Sequence, residues 1–343
     1  MESFYTGTVT RFTRTSSLPA SHSVIHRRSR AFQNVLLLSL IHVPLGIIIY
    51  RWPTVGTIHQ VCIFALALYY AWQGQKIERV GIIVAYIIGA EVLWRMAGVS
   101  IYWELGKFVS AFIMIVALIR RRGHRVPLLP VLYFAVLIPA CLITLVSKMP
   151  GDARNILSSN MSGPFFLFIS SIFFANLTLT RAAIGRILIA ALLPLFSVAF
   201  VTLFFTISIE EIQFTGESNF ATSGGFGPNQ VSSMLGLGAF LALLILVVYR
   251  KSLKLSMFLV LTALLMTAQS VMTFSRGGMY NAIGAIAATI FVLVLRNPST
   301  AIRRLVPIMS AGVLFVALIF PALDNFTGGS LGERFEDTAV TFL

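Results

Sequence analysis

Apolar runs long enough to cross a membrane alternate with short polar breaks along nearly the whole chain. The runs at 34–50, 55–74, 80–98, 105–119, 126–147, 161–179, 187–206, 229–249, 255–273, 277–295 and 305–323 predict about eleven spans. The basis is that roughly 20 consecutive apolar residues cross a bilayer core as a helix. The runs at 34–50 and 105–119 are short for a full crossing. The expected fold class is all-α, a polytopic transmembrane helix bundle over 34–323. Residues 1–33 are polar and rich in Ser, Thr and Arg, and they read as a disordered basic tail. They lack the short apolar core and small-residue cleavage site of a secretory signal. Residues 324–343 open a large polar loop. Its last stretch, Asp337-Thr338-Ala339-Val340-Thr341-Phe342-Leu343, carries no helix, anchor or basic stop, which predicts that the loop runs on past Leu343. No internal repeat stands out along the chain.

Composition agrees with this pattern. Hydrophobic residues make up 57% of the chain and charged residues 11%, and the mean hydropathy is +0.88. A soluble domain would carry roughly a quarter charged residues. The net charge of +14 raises the question of nucleic acid. The basic residues, however, form short clusters between apolar runs, so they read as topology signals and contacts to anionic lipid. Cys62 and Cys141 both fall inside apolar runs and resemble small buried hydrophobes more than a disulfide or metal framework.

Charge also sets the expected orientation. One alternate set of connections carries Arg27, Arg28 and Arg30, then Lys76 and Arg79, then Arg120, Arg121, Arg122 and Arg125. It continues with Arg181 and Arg186, then Arg250, Lys251 and Lys254, then Arg296, Arg303 and Arg304. The other set has few cations and most of the acids, among them Glu104, Asp152, Glu210, Glu211, Glu217, Asp324, Glu333, Glu336 and Asp337. The basic set, with the N-terminus, is expected to be cytoplasmic. Strict alternation holds at every connection, and one missed or false helix would invert it from that point on.

Arg276 is the strongest candidate for chemistry. It sits in Thr273-Phe274-Ser275-Arg276-Gly277-Gly278, a very short break on the side where cations are scarce. A guanidinium grips phosphate oxygens as a two-pronged fork and stays charged at any working pH. Gly277 and Gly278 would leave the backbone open to close approach, and the helix that follows presents its N-terminus to an anion. The bland alternative is an interfacial arginine that snorkels to headgroups. Gly224-Gly225-Phe226-Gly227-Pro228-Asn229-Gln230 opens another helix on the same side and reads as a cap, or as a second N-terminus converging on Arg276. Glu91 and Arg95 lie four apart inside one span. They fit either a structural ion pair or a pair lining a polar cavity. His42 and His59 each stand alone in apolar runs, where hydrogen-bonded packing is the commoner role. Trp52, Tyr102 and Trp103 fall at span ends, as an interfacial aromatic belt would. The chain has no HExxH, no Cys/His cluster and no Walker-type loop, so no metal or cofactor is expected.

In three places the chain resembles the O-antigen ligase and polymerase superfamily of bacterial cell-envelope enzymes. These are Gly227-Pro228-Asn229-Gln230, Thr273-Phe274-Ser275-Arg276-Gly277-Gly278 and Ser330-Leu331-Gly332-Glu333-Arg334-Phe335. The likeness covers about 190–343 and follows the family's order; the N-terminal half matches only as hydrophobic helices. It implies a multi-pass protein of the bacterial inner membrane. The implied donor is a saccharide on undecaprenyl pyrophosphate, and the acceptor is a hydroxyl of lipid A-core or of a growing polysaccharide at the periplasmic face. It implies substrate contacts at Arg276, Ser275, Gly277, Gly278, Asn229 and Arg334. The catalytic residue stays unassigned, because the family's outer-loop histidine would fall beyond Leu343. Two other classes remain open. One is a secondary transporter or flippase for a lipid-linked glycan, using Glu91, Arg95, His42 or His59; the other is a non-catalytic scaffold.

Overall fold

The computed structural model describes residues 20–74, 77–99, 104–121, 123–208, 212–214, 217–248, 253–296 and 298–341, with side-chain surroundings outside 20–32, 299–304 and 337–341. Lys76, Tyr102, Trp103, Arg122, Glu210, Glu211, Arg250 and Lys251 lie outside the described residues, as does the stretch 1–19 of the expected tail. The described residues are helical almost throughout. The helices are α1 (Ala20–Arg51), α2 (Pro53–Gln73), α3 (Ile77–Met96), α4 (Leu105–Arg120), α5 (Leu128–Ser147), α6 (Pro150–Ala175) and α7 (Arg181–Ser208). They continue with α8 (Pro228–Val248), α9 (Leu253–Met272), α10 (Arg276–Arg296), α11 (Pro298–Leu314), α12 (Phe320–Phe326) and α13 (Ser330–Thr341).

Local chemistry accounts for many boundaries. Pro53, Pro150 and Pro228 open α2, α6 and α8, at positions where a missing N–H leaves no bond unmade. Gly74 ends α2 in the left-handed region, at φ 67°. A π-helical turn, Phe315–Ile319, lies just ahead of Pro321, whose ring and missing N–H disturb the preceding turn.

Every expected span corresponds to a helix. Among the described residues, 9 helices are long and apolar enough to cross a membrane. Two of the eleven expected spans, those on α3 and α4, are not among these nine. Helix α3 carries Glu78, Arg79, Glu91 and Arg95. Helix α4, with 16 residues, reaches only about 24 Å against a core of about 30 Å. Three boundaries also differ from expectation. Helix α1 begins at Ala20, so the part of the expected loose tail at 20–33 continues the helix. Helix α6 begins at Pro150, well inside the expected 148–160 connection. Residues 330–341, expected as open loop, form α13.

The core lies around α3, α7 and α8. Trp94, Ile87 and Leu93 of α3 pack with Leu192 and Leu195 of α7 and with Leu235 and Leu246 of α8. By contrast α5 buries no residue although it is apolar almost throughout. One stripe meets α6, where Phe134 packs on Phe165 and Phe168, and the rest of such an apolar helix has hydrocarbon as its solvent. Cys62 is exposed on α2, not buried.

Close backbone crossings set the spacing of the core. A Cβ at Gly89 of α3 would strike the carbonyl of Ala191 on α7, and one at Gly46 of α1 would lie 2.5 Å from Cβ of Ser197 on α7. Small residues at such crossings let membrane helices approach closely enough for dispersion contacts to accumulate. Gly89→Leu is expected to lower the unfolding midpoint in detergent, with an overpacking cost of about 1–3 kcal/mol. Gly284→Leu on α10, where a Cβ meets nothing within 4 Å, should leave the midpoint unchanged. Scanning fluorimetry of the two variants side by side checks this.

Candidate functional site

The break between α9 and α10 is a strained, buried corner. Phe274 has φ 57°, and it is the only non-glycine residue with positive φ among those described. For a bulky residue this costs on the order of 1–3 kcal/mol. Burial offsets the strain. Phe274 is fully buried with Val271 and Leu331, and its ring stacks on Phe214 at 5.4 Å.

Leu331 is also the anchor that docks α13 on this corner. Arg334, one turn further along α13, then reaches it. Arg334 Nε donates to Phe274 O at 3.4 Å, and Arg276 Nη2 donates to Arg334 O at 2.9 Å. The long connection before α8 folds over the same end. Asn219 N–H donates to Thr273 O at 2.9 Å and Thr222 Oγ1 to Met272 O at 2.5 Å, satisfying carbonyls at the end of α9.

Two helix starts meet here. Ser275, just ahead of α10, donates from Oγ to Asn229 Oδ1 in the first turn of α8, at 2.7 Å. Ser232 Oγ, one turn on, donates to Ser275 O at 3.0 Å. Neither helix has an acidic residue in its first turn. Arg276 therefore places a cation on a positive dipole end, and it has no carboxylate partner among the described residues. Its Nε is buried and makes no hydrogen bond there. A buried guanidinium nitrogen left unsatisfied at a helix N-terminus suits an oxyanion.

The two glycines separate in role. A Cβ at Gly277 would come no nearer than 3.9 Å to Ser275 Oγ, so the backbone there is open. Gly278 is buried, and a Cβ on it would collide with the backbone and side chain of Ser232. Contrary to the expectation of an open ligand face, Gly278 serves the close crossing of α8 and α10.

Glu91 and Arg95 do pair, through Oε1 and Nη2, with side chains 12% and 6% exposed. The pair belongs to a larger array that periodicity along α3 did not reveal. Arg95 Nη2 also lies 3.4 Å from Glu104 Oε2. That oxygen takes a 2.5 Å bond from Lys107 Nζ and a 3.0 Å bond from Ser162 Oγ. Arg95 Nη1 donates to Gln230 Oε1 at 2.9 Å. The array balances its charges and ends at the residue next to Asn229, so the charges of α3 and the corner at Arg276 meet on the first turn of α8.

His42 and His59 are joined through one hydroxyl. Tyr86 OH lies 3.1 Å from Nε2 of each. Trp94 Nε1 donates to His59 Nδ1 at 3.1 Å, and His42 Nδ1 faces Leu38 O at 2.7 Å. An indole only donates and a carbonyl only accepts. With both rings neutral, the directions follow: Trp94 to His59, His59 to Tyr86, Tyr86 to His42, and His42 to Leu38 O. The row begins and ends on groups that exchange no proton near neutral pH, which suits a latch between α1, α2 and α3.

No family model, curated protein or solved structure matches the chain. Arg95→Leu should strand the buried Glu91 carboxylate, while Glu104 keeps Lys107 and Ser162, and destabilise the protein by about 3–5 kcal/mol. Arg186→Leu, which breaks only an exposed pair with Glu78, should cost about 0–1 kcal/mol. Thermal unfolding of both in one detergent tests the ordering. Tyr86→Phe removes the shared hydroxyl and should cost about 1–3 kcal/mol, read in the same assay.

Proposed function

We propose that this chain is a glycosyltransferase-type O-antigen ligase or polymerase. It transfers a saccharide from an undecaprenyl-pyrophosphate carrier to a hydroxyl on lipid A-core or on a growing polysaccharide. The face carrying Arg276 is then the periplasmic face of a bacterial inner membrane, with the N-terminus cytoplasmic. The observation that carries this reading is the meeting of Arg276, Asn229 and Ser275 at two helix N-termini, with Arg334 alongside.

Glycosyl transfer makes a bond from the acceptor oxygen to the anomeric carbon and breaks the bond from that carbon to the phosphate oxygen. The electron pair leaves with the undecaprenyl pyrophosphate, and the acceptor's proton passes to a base. Negative charge grows on the departing oxygen. A guanidinium fixed beside it, with helix N–H groups behind, stabilises that charge more in the transition state than in the ground state. A diphosphate would also satisfy Arg276 Nε and neutralise a cation poorly placed on a helix N-terminus.

The transporter or flippase reading draws on Glu91, Arg95, His42 and His59. It sits less well with helices that stay unbroken across Pro44, Pro139, Pro164 and Pro194. Transporters commonly bind their cargo at interrupted helices.

Arg276→Ala is expected to abolish long-chain surface polysaccharide on a gel while protein level and unfolding midpoint hold or rise. Arg276→Lys should retain part of the activity, since it keeps the charge and loses the fork. Normal chain length in Arg276→Ala would remove this residue from the mechanism, as a scaffold role would require.

A further inference from the structure

A second polar site lies at the opposite end of the bundle. A cavity of about 730 Å³ opens between the start of α3, the end of α4 and the connection from α6 to α7. Arg79, Arg121, Arg186 and Glu78 line it, above an apolar wall that includes Ile82 and Leu179. The formal charge of these four side chains is +2, from three arginines and one glutamate.

Two of the guanidiniums, those of Arg121 and Arg79, are held in place by the protein. Arg121 Nη1 donates to Asn176 O at the end of α6. Asn176 is itself fixed, with Nδ2 donating to Ile172 O at 2.8 Å and Oδ1 accepting from Arg125 N–H at 2.7 Å. Arg79 Nη1 donates to Tyr70 OH at 2.9 Å, and its guanidinium carbon lies 5.0 Å from that ring's centre. Arg186 Nη2 reaches Glu78 Oε1 at 3.3 Å. Arg121 and Arg79 each spend one terminal nitrogen on these bonds, so their forks are oriented while further N–H groups remain for a ligand, and the exposed Arg186 is free to swing toward it.

We propose that this cavity binds a phosphate-bearing ligand, and its position favours the headgroup of an anionic lipid. Exposed Trp72 and Tyr69 stand at the same end of α2, and Arg120 stacks 4.8 Å from the Trp72 ring. Such a belt marks headgroup depth. Fixed guanidiniums facing a cavity with an apolar wall match a phosphate joined to a glycerol and acyl chains. The site is separate from Arg276 and does not depend on the glycan-transfer reading.

The test uses the full chain, delipidated in neutral detergent and then titrated with phosphatidylglycerol, phosphatidylcholine or inorganic phosphate. Native mass spectrometry and unfolding midpoints are the readouts. One phosphatidylglycerol should bind about tenfold or more tighter than phosphatidylcholine. The double variant Arg79→Gln/Arg186→Gln should lose that preference, and Glu78→Gln, which raises the positive charge of the cavity, should strengthen it. If inorganic phosphate raises the midpoint while phosphatidylglycerol does not, and Arg79→Gln/Arg186→Gln removes the effect, the ligand is a free phosphate compound. Equal binding of both lipids with no response to phosphate overturns the proposal. Should the double variant fail to fold, Glu78→Gln decides: a preference it leaves unchanged also overturns the proposal.

Discussion

A guanidinium inside a membrane bundle has to be neutralised, and the way Arg95 is neutralised organises this molecule. Glu91 is on the same helix, Glu104 comes from the start of α4, and Gln230 comes from the first turn of α8. Removing either carboxylate would leave uncompensated charge in a low dielectric, which is far costlier than losing an exposed pair. The array therefore ties α3, α4 and α8 together at one end of the bundle. Lys107 and Ser162 extend the tie to α6. Because Gln230 adjoins Asn229, the same turn of α8 that answers Arg95 also holds Ser275. The corner at Arg276 is built on a foundation of balanced charge.

The candidate site adds an imbalance to that foundation. Arg276 lies on the helix terminus where a cation is least favoured. Phe274 holds a backbone conformation that a bulky side chain resists. Phe274 is held by apolar contacts with Phe214, Val271 and Leu331, and Arg276 by its bond to Arg334 O. Local cost maintained by surrounding packing is the usual arrangement of a binding site.

The helices were legible in the sequence because lipid-facing and core-facing positions make the same demand for apolar side chains. The run at 126–147 and the buried run at 187–206 read alike, although one faces lipid and the other fills the core. Arg276 and Asn229 stood out through local glycine and proline chemistry. Helix α13 had a usable signal in Leu331 and Phe335, four residues apart, with Glu333 in the first turn. The role of Gly278 was also accessible. Ser232 and Gly236 form a small-residue pair at helical spacing on α8, the mark of a close crossing. The link from Arg95 to Gln230, and the joining of His42 to His59 through Tyr86, had no local signature. Each depends on which helices become neighbours, and hydropathy does not encode that.

The row from Trp94 to Leu38 has one further property. Every bond in it points the same way, so the proton of each group is placed by the one before it. A proton added at His42 Nε2 would make the Tyr86 oxygen accept from both imidazoles, since a hydroxyl oxygen carries two lone pairs. The Tyr86 hydrogen would lose its partner in the row, while Trp94, His59 and Leu38 would keep theirs. The cost of one charge would therefore fall on a single hydroxyl, at the point where three helices meet.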